Sequence, residues 1–593
     1  MEKIAVLDFG GQYAHLIANR VRRLGVFTEI LSPASPAEDF ADYAGIIFSG
    51  GPSSVYAPDR PDFNPEILGL DQPILGICYG HQLISQTLGG AVKPGKVKEY
   101  GIANVTVEDA AHPLLIGLPA SSPMWMSHGD SVNALAPGFR AIASTPDCEL
   151  AAVANDARKM YGIQFHPEVT HSRFGNRLLE NFIAICGCER TWSTASYLRD
   201  LEGRLRQQVG DRNVFLLVSG GVDSTVAFVL LNRLLGEDRV LGLHIDNGLM
   251  RLNESQAVKD FLNAENMRNL NVADAGDLFL SNLAGVSSPE AKRKIIGDTF
   301  LDVKDLEIEK LKLDPDHWVL AQGTIYPDTI ESGGTKHADV IKTHHNRVPA
   351  IVDMLVQGKV IEPLADLYKD EVRALGEELG IPHALVWRHP FPGPGLGVRL
   401  LCSDGVAPDT TVPGLEAFLT DHGIEGQTLP IRSVGVQGDA RTYAHPFVLR
   451  GAPDWDKLEA FSTALTNRFA DVNRVVYQAG PRNHVAYTLV AQYCEKDKLD
   501  TLRRLDDICT AFLQEKGLYE AIWQMPVVLP PLEVDGGPAV VLRPVCSNEA
   551  MTASFYPMAP ALLTELCARL LAGGAGAVLY DITHKPPATI EWE

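Results

Sequence analysis

Short apolar runs of strand length, each ending near a glycine, recur along this 593-residue chain. Ile4–Asp8, Gly45–Phe48, Ile74–Ile77 and Met160–Phe165 alternate with stretches of helical spacing, so residues 1–188 read as an α/β sheet. The same alternation returns from 189 to 400, with strands at Val214–Val218, Val240–Ile245 and Trp318–Ala321. A helix pattern runs from Val222 to Leu235, and the charged stretch 300–313 predicts another. His389–Gly397 is too rich in Pro and Gly for a helix or a central strand. A boundary is placed just after it. Residues 401–593 have longer loops and β-type runs at Asn473–Gln478 and Ala575–Tyr580, an α+β pattern. That region is weakly self-similar: the runs starting at Leu429 and Asn473 are echoed by those starting at Met525, Val541 and Ala577, which suggests two related units in tandem.

Composition adds exclusions. A net charge of −22, from 52 basic and 74 acidic residues, makes this a poor non-specific nucleic-acid binder. The longest apolar runs fall short of the roughly 18 residues a membrane span needs. The opening Met1–Gly11 reads as a buried-type strand entering a glycine turn, not a secretory leader. Nine cysteines, odd in number and without framework spacing, suit reduced thiols in the cytoplasm.

Two glycine-flanked turns carry the candidate chemistry. Ser219-Gly220-Gly221-Val222-Asp223-Ser224 joins a strand to a helix. Such a turn aims backbone N–H groups and a helix N-terminus at phosphate, the serines add hydroxyl donors, and Asp223 can reach Mg2+. The loop lacks the Gly-Lys-Ser/Thr ending of the Walker pattern. The second turn is Gly76-Ile77-Cys78-Tyr79-Gly80, a strand-to-helix elbow that exposes a cysteine and sets it at a helix N-terminus favouring thiolate. A nucleophilic cysteine needs an oriented base. His166-Pro167-Glu168 supplies one, its i and i+2 side chains expected on one face of a strand end. Gly50 and Gly51, with the N–H of Tyr79, form a candidate oxyanion hole.

These motifs resemble known families. The first segment resembles the class I glutamine amidotransferases through Gly-Ile-Cys78-Tyr-Gly-His-Gln, His166-Pro-Glu168 and Ser-Gly50-Gly51-Pro. That resemblance implies glutamine hydrolysis through a cysteinyl thioester, with Gln82, Ser127 and His128 beside the glutamine pocket. As a bare sequence, Ser127–Asp130 also reads as a polar loop. Ser-Gly-Gly-x-Asp-Ser resembles the ATP pyrophosphatases, which cleave ATP between the α and β phosphates and adenylate a substrate.

The order of modules resembles the glutamine-hydrolysing GMP synthetases in their long form. Arg388–Arg399 and the terminus Lys585–Glu593 add to the likeness. The resemblance implies XMP, ATP and glutamine as substrates, an adenyl-XMP intermediate and a Mg2+ requirement. It places Asp246, Gly323 and Lys342 (in the lid-like Ile341–Asn346) at ATP. It places Arg293, Asp439, Arg441, Gln524, Lys585 and Glu591 at XMP. A docked tail is expected, with Glu591 orienting Lys585 or accepting from the purine or ribose. The doubled C-terminal region suggests a monomer, with a homodimer as the alternative. A glutamine-dependent NAD synthetase is the rival enzyme, disfavoured because its usual glutaminase is of another class. A catalytically silent binding protein is disfavoured by the intact triad and loop.

Overall fold

The apolar runs of the first segment are strands in the computed structural model of the chain. The structure describes every residue except 1, 11–12, 59, 170, 315, 332–356, 438–439, 482, 484 and 548–552. Packing divides the chain into two compact units. One holds Met1–Gln208, Gly323–Gly358 and Glu362–Glu378; the other holds Val209–Gln322, Lys359–Ile361 and Leu379–Glu593.

The first unit is built on nine strands: β1 (Lys3–Leu7), β2 (Phe27–Leu31), β3 (Gly45–Phe48), β4 (Ile74–Ile77), β5 (Ala91–Val107), β6 (Ser121–Ala134), β7 (Arg140–Ser144), β8 (Ala152–Asn155) and β9 (Met160–Ile163), in the order β2-β1-β3-β4-β9-β8-β7-β5-β6. The first five in that order run parallel, which explains their unbroken apolar sequences: helices cover both faces. The other strands are antiparallel additions, dominated by the long β5–β6 pair. In the β4–β9 register Ile77 faces Ile163, so the chain leaving each strand enters one place. Residues 362–378 pack on the helix Ala14–Arg23, where buried Arg22 donates to Glu371 at 2.9 Å. Packing therefore groups this stretch with the first unit, although the sequence places it in the second segment.

The second unit opens with a parallel sheet of β10 (Asn213–Leu217), β11 (Val240–Asp246), β12 (Leu270–Asp274), β13 (Trp318–Ala321) and β14 (Val360–Ile361), in the order β12-β11-β10-β13-β14. The boundary expected after residue 400 runs through a continuous core, because Leu396 and Leu400 share one hydrophobic cluster with Phe447, Leu502 and Val540. The C-terminal sheet contains two arms of the same plan. In one, Ser433–Gln437 lies antiparallel to Ala440–Leu449, and the helix Trp455–Arg468 leads back to a parallel strand, Val472–Gly480. In the other, Leu532–Val534 lies antiparallel to Gly537–Leu542, and the helix Pro560–Ala572 leads to parallel Ala577–Asp581. The two arms meet where Val472–Gly480 and Ala577–Asp581 pair antiparallel, Tyr477 opposite Tyr580. Among the described residues no helix is long and apolar enough to cross a membrane.

Candidate active site

Cys78 is the N-cap of the helix Tyr79–Thr87, at φ 53° and ψ −103°. A residue with a side chain rarely holds a positive φ, and such strain clusters at functional turns. The neighbours explain how the turn survives. A Cβ on Gly76 would lie 2.6 Å from the Gly80 backbone, and one on Gly80 would lie 2.5 Å from the Phe48 carbonyl oxygen. Only glycine fits either place, so the elbow packs flush against β3. The Cys78 N–H donates to the Ile163 carbonyl at 2.7 Å, which ties the elbow to the end of β9.

Three residues on, the chain leaving β9 presents His166. Its Nδ1 is 2.7 Å from Glu168 Oε1, and both side chains are buried. Among the described residues its Nε2 meets no partner other than the Cys78 thiol. Burial works to discharge the imidazolium, but the Glu168 carboxylate and the Cys78 sulfur outweigh it and raise the pKa to about 10. The imidazole is therefore set up to hold a proton beside the Cys78 sulfur. The Tyr13 ring packs on the imidazole at 4.7 Å, and Arg20 Nε donates to the Glu168 carbonyl at 3.1 Å.

The sign of that shift yields a prediction. A histidine raised by its partners stabilises the fold fully below its unfolded value of about 6.5, and the contribution fades as pH rises through about 10. Glu168→Gln keeps the shape and removes the largest raising charge. The imidazole should then titrate lower by NMR, the alkaline loss of stability should shift to lower pH, and glutaminase kcat should fall about 10²-fold. An unmoved His166 titration would show that Glu168 does not set it.

The remaining pocket residues divide into two groups. Gly50 lies against the pair: a Cβ there would meet His166 Cε1 at 3.1 Å and Cys78 Cβ at 3.8 Å. A Cβ on Gly51 would lie 2.8 Å from the Phe9 carbonyl oxygen and 3.3 Å from Tyr79. The Ser127 carbonyl accepts from Cys78 Sγ at 3.6 Å. Gln82 and His128, by contrast, are already engaged. Gln82 Nε2 donates to the Asp130 carbonyl at 2.8 Å, and the His128 ring nitrogens meet Glu99 and the Asp130 carbonyl, each at 3.0 Å. Sequence reasoning missed Gln164, whose amide reaches Cys78 Sγ at 3.5 Å. Its position two residues before His166 was the available signal.

In the second unit Ser219–Ser224 links β10 to the helix Val222–Leu235. Gly220 sits at φ 80°, and Gly221 caps the helix. The hydroxyls brace the loop. Ser219 Oγ and Ser224 Oγ are 3.0 Å apart, the Gly221 N–H donates to Ser219 Oγ at 3.2 Å, and Thr225 Oγ1 donates to the Gly221 carbonyl at 2.8 Å. Asp223 is half-buried in the first helical turn. Asp246 ends β11 and accepts from the Gly248 N–H at 3.0 Å. Gly323 follows β13 and is grouped by packing with the first unit. Lys342, within the expected lid Ile341–Asn346, lies outside the described residues, as does Asp439.

Two of the tail residues meet arginines. Arg293 donates to the Glu593 carbonyl, and Glu591 accepts two bonds from buried Arg399, at 3.0 and 3.3 Å. The Glu591 carboxylate is thus fixed by an arginine to which the sequence alone assigns no role. Trp592 is fully buried and donates to Asp581 at 3.0 Å. The Lys585 backbone pairs with Ala553, and Gln524 Nε2 donates to the Pro390 carbonyl at 3.0 Å. Arg441 is exposed on the strand Ala440–Leu449.

Comparison with known proteins places this geometry. The Glutamine amidotransferase class-I profile matches residues 5–186, and the GMP synthase C terminal domain profile matches 511–592. A probable glutamine-hydrolyzing GMP synthase from Leptospira interrogans serovar copenhageni is 47% identical over 600 residues, covering 100% of this chain and 99% of its own. Glutamine-hydrolyzing GMP synthases from Enterococcus faecalis and Symbiobacterium thermophilum are 46% and 45% identical; each covers 80% of this chain and 96% of its own length. The likeness runs end to end in one relative and through nearly all of the other two. The chain belongs to the glutamine-hydrolysing GMP synthase family, ligases that carry a class I glutamine amidotransferase domain.

Proposed function

We propose that the chain aminates XMP to GMP with ammonia drawn from glutamine, spending ATP to AMP and pyrophosphate through an adenyl-XMP intermediate. The observation that carries this reading is the presence in one chain of the Cys78–His166–Glu168 cluster and the braced Ser219–Ser224 loop.

The Cys78 thiolate attacks the glutamine carboxamide carbon. Backbone N–H groups at Gly50, Gly51 and Tyr79 receive the oxyanion that forms. His166 gives its proton to the leaving nitrogen, so ammonia departs and a thioester remains. His166 then takes a proton from the water that releases glutamate. Glu168 holds the ring and compensates its charge through both steps.

At the loop, the backbone of Gly220 and Gly221 and the helix N-terminus receive the phosphates of ATP. The purine carbonyl oxygen of XMP attacks the α-phosphorus and pyrophosphate leaves. Ammonia then displaces AMP from the same carbon. The oxygen donors Asp223, Ser219 and Ser224 fit a hard cation such as Mg2+. No cluster of three metal-ligating side chains occurs among the described residues, so phosphates and water would complete its shell. When bound, the ion supplies charge neutralisation to the leaving pyrophosphate.

For XMP we assign Arg293, Asp439, Arg441, Gln524, Lys585 and Glu591, with the cationic groups suited to its phosphate. Arg399 and Arg293 keep the tail in place for that task. The two arms of the C-terminal sheet pair with each other through Tyr477 and Tyr580, which supports a monomer. The deciding assay is AMP formation with purified chain, ATP, glutamine and XMP. One AMP per GMP is expected. AMP formation with deamido-NAD in place of XMP would instead select the rival synthetase.

A further inference from the structure

Two cysteines unused by the chemistry above meet in the second unit. Cys402 and Cys494 are 92 residues apart in sequence, and their sulfurs are 3.8 Å apart. All nine cysteines are free thiols. Cys494 is buried, while Cys402 is partly exposed and gives access to the pair. The two sulfurs share an S–H contact in which either can donate, and the coupling pushes Cys402 up and pulls Cys494 below the ordinary thiol value. The nearby Lys292 ammonium adds to the lowering, and burial opposes it. Thiolate character is what makes a cysteine reactive toward oxidants.

The surroundings give the pair a consequence. Lys292 is fully buried. Its ammonium donates to the carbonyls of Gly397 and Leu400, at 2.9 and 2.8 Å, and pairs with the Glu593 carboxylate at 2.5 Å. The Cys402 backbone N–H also binds that carboxylate. The segment 397–402 therefore holds Lys292, one of the two sulfurs and the last residue of the chain together. Glu593 in turn ends the tail that carries Lys585 and Glu591. Forming an S–S bond shortens the sulfur separation from 3.8 Å to about 2.05 Å, and the motion must be taken up by this segment or by Cys494 beside it.

We infer that Cys402 and Cys494 form a peroxide-sensitive dithiol whose closure to a disulfide loosens the Lys292–Glu593 anchor and weakens nucleotide binding at the C-terminal tail. The oxidant is hydrogen peroxide. The Cys494 thiolate attacks one peroxide oxygen, the O–O bond breaks, and the departing hydroxide takes a proton from solvent as water. The sulfenic acid left on Cys494 is then attacked by the Cys402 sulfur. The S–S bond forms, the S–O bond breaks, and hydroxide leaves with the Cys402 proton as a second water. Two thiols lose two electrons and one peroxide becomes two waters.

The effect on XMP rests on the proposed role of the tail; the disulfide itself does not. The test uses the unaltered full chain with ammonium as nitrogen source, so that oxidation of Cys78 does not enter the assay. After hydrogen peroxide treatment and thiol blocking, peptide mass spectrometry should find the peptides of Cys402 and Cys494 joined, with loss of two hydrogens, and dithiothreitol should release them. The KM for XMP should rise about tenfold in the oxidised chain and return on reduction. Cys402→Ser and Cys494→Ser should each remove both the link and the response. Peroxide-treated protein without a 402–494 link overturns the inference. So does a complete link with unchanged XMP affinity. Absence of ammonium-dependent GMP formation before peroxide would instead count against the proposed function, and the peptide link would still be read. The mapping on unaltered Cys402 and Cys494 stands even if a serine variant folds poorly.

Discussion

Cys78→Ala is expected to form no GMP from glutamine, with a loss of at least about 10⁴-fold, while GMP formation from ammonium stays within about twofold of the unaltered chain. The nucleophile has no substitute nearby. Ser127 offers its carbonyl to the thiol, Gln164 offers an amide, and His166 offers an imidazole. None can form a thioester. The substitution is also mild structurally. Alanine keeps the Cβ, so the strain of φ 53° is shared by both residues and the elbow between Gly76 and Gly80 is undisturbed. What changes electrostatically is His166, which loses the sulfur that helps to raise it and should titrate below about 10. On the proposed reading, ammonium-dependent synthesis needs only the Ser219–Ser224 loop and the nucleotide residues, and these are untouched. Loss of both nitrogen sources in a folded Cys78→Ala chain would overturn the division of labour.

The sequence showed the elbow, the phosphate loop and the parallel strands because each is a local signal. Ile74–Ile77 and Trp318–Ala321 are read from apolar runs alone, and the helix Val222–Leu235 from periodicity and the preceding glycines. The pairing of His166 with Glu168 was expected from a strand end. In the structure β9 stops at Ile163 and the two residues lie in the turn beyond it, yet they still meet at 2.7 Å. The contacts that tune each site were not legible, because they join distant residues. Tyr13 on His166, Glu99 on His128 and Arg399 on Glu591 depend on how strands and tail are brought together. The long pair of Ala91–Val107 and Ser121–Ala134 also escaped notice. Its partly solvated strands mix polar and apolar positions, and the segment was read for its Ser127–Asp130 motif alone. Residues 362–378 looked like part of the nucleotide segment. Their attachment to the first unit depends on the buried Arg22–Glu371 pair, and nothing near either residue in sequence announces it.

Asp223→Asn is expected to lower AMP and pyrophosphate release about 10²- to 10³-fold, a barrier rise of several kcal/mol. The loop carries a mismatch of charge. The loop presents a helix N-terminus, a glycine at φ 80° and two braced serines, all suited to an anion. A carboxylate in the first helical turn favours the helix dipole but repels phosphate. That repulsion disappears if a cation lies between them, and Asp223 then binds metal and polyphosphate as one unit. Asparagine keeps the shape and one oxygen donor but gives up the charge, so the ion should be held more weakly. Raising Mg2+ should therefore restore part of the lost rate in Asp223→Asn and have little effect on the unaltered chain at saturation. Glutamine hydrolysis should persist, since Cys78, His166 and Glu168 are unaffected. Isotope-labelled pyrophosphate release measured across a Mg2+ series gives both readings at once. An unchanged rate at low Mg2+ would place the cation elsewhere and leave Asp223 as a helix-capping acid.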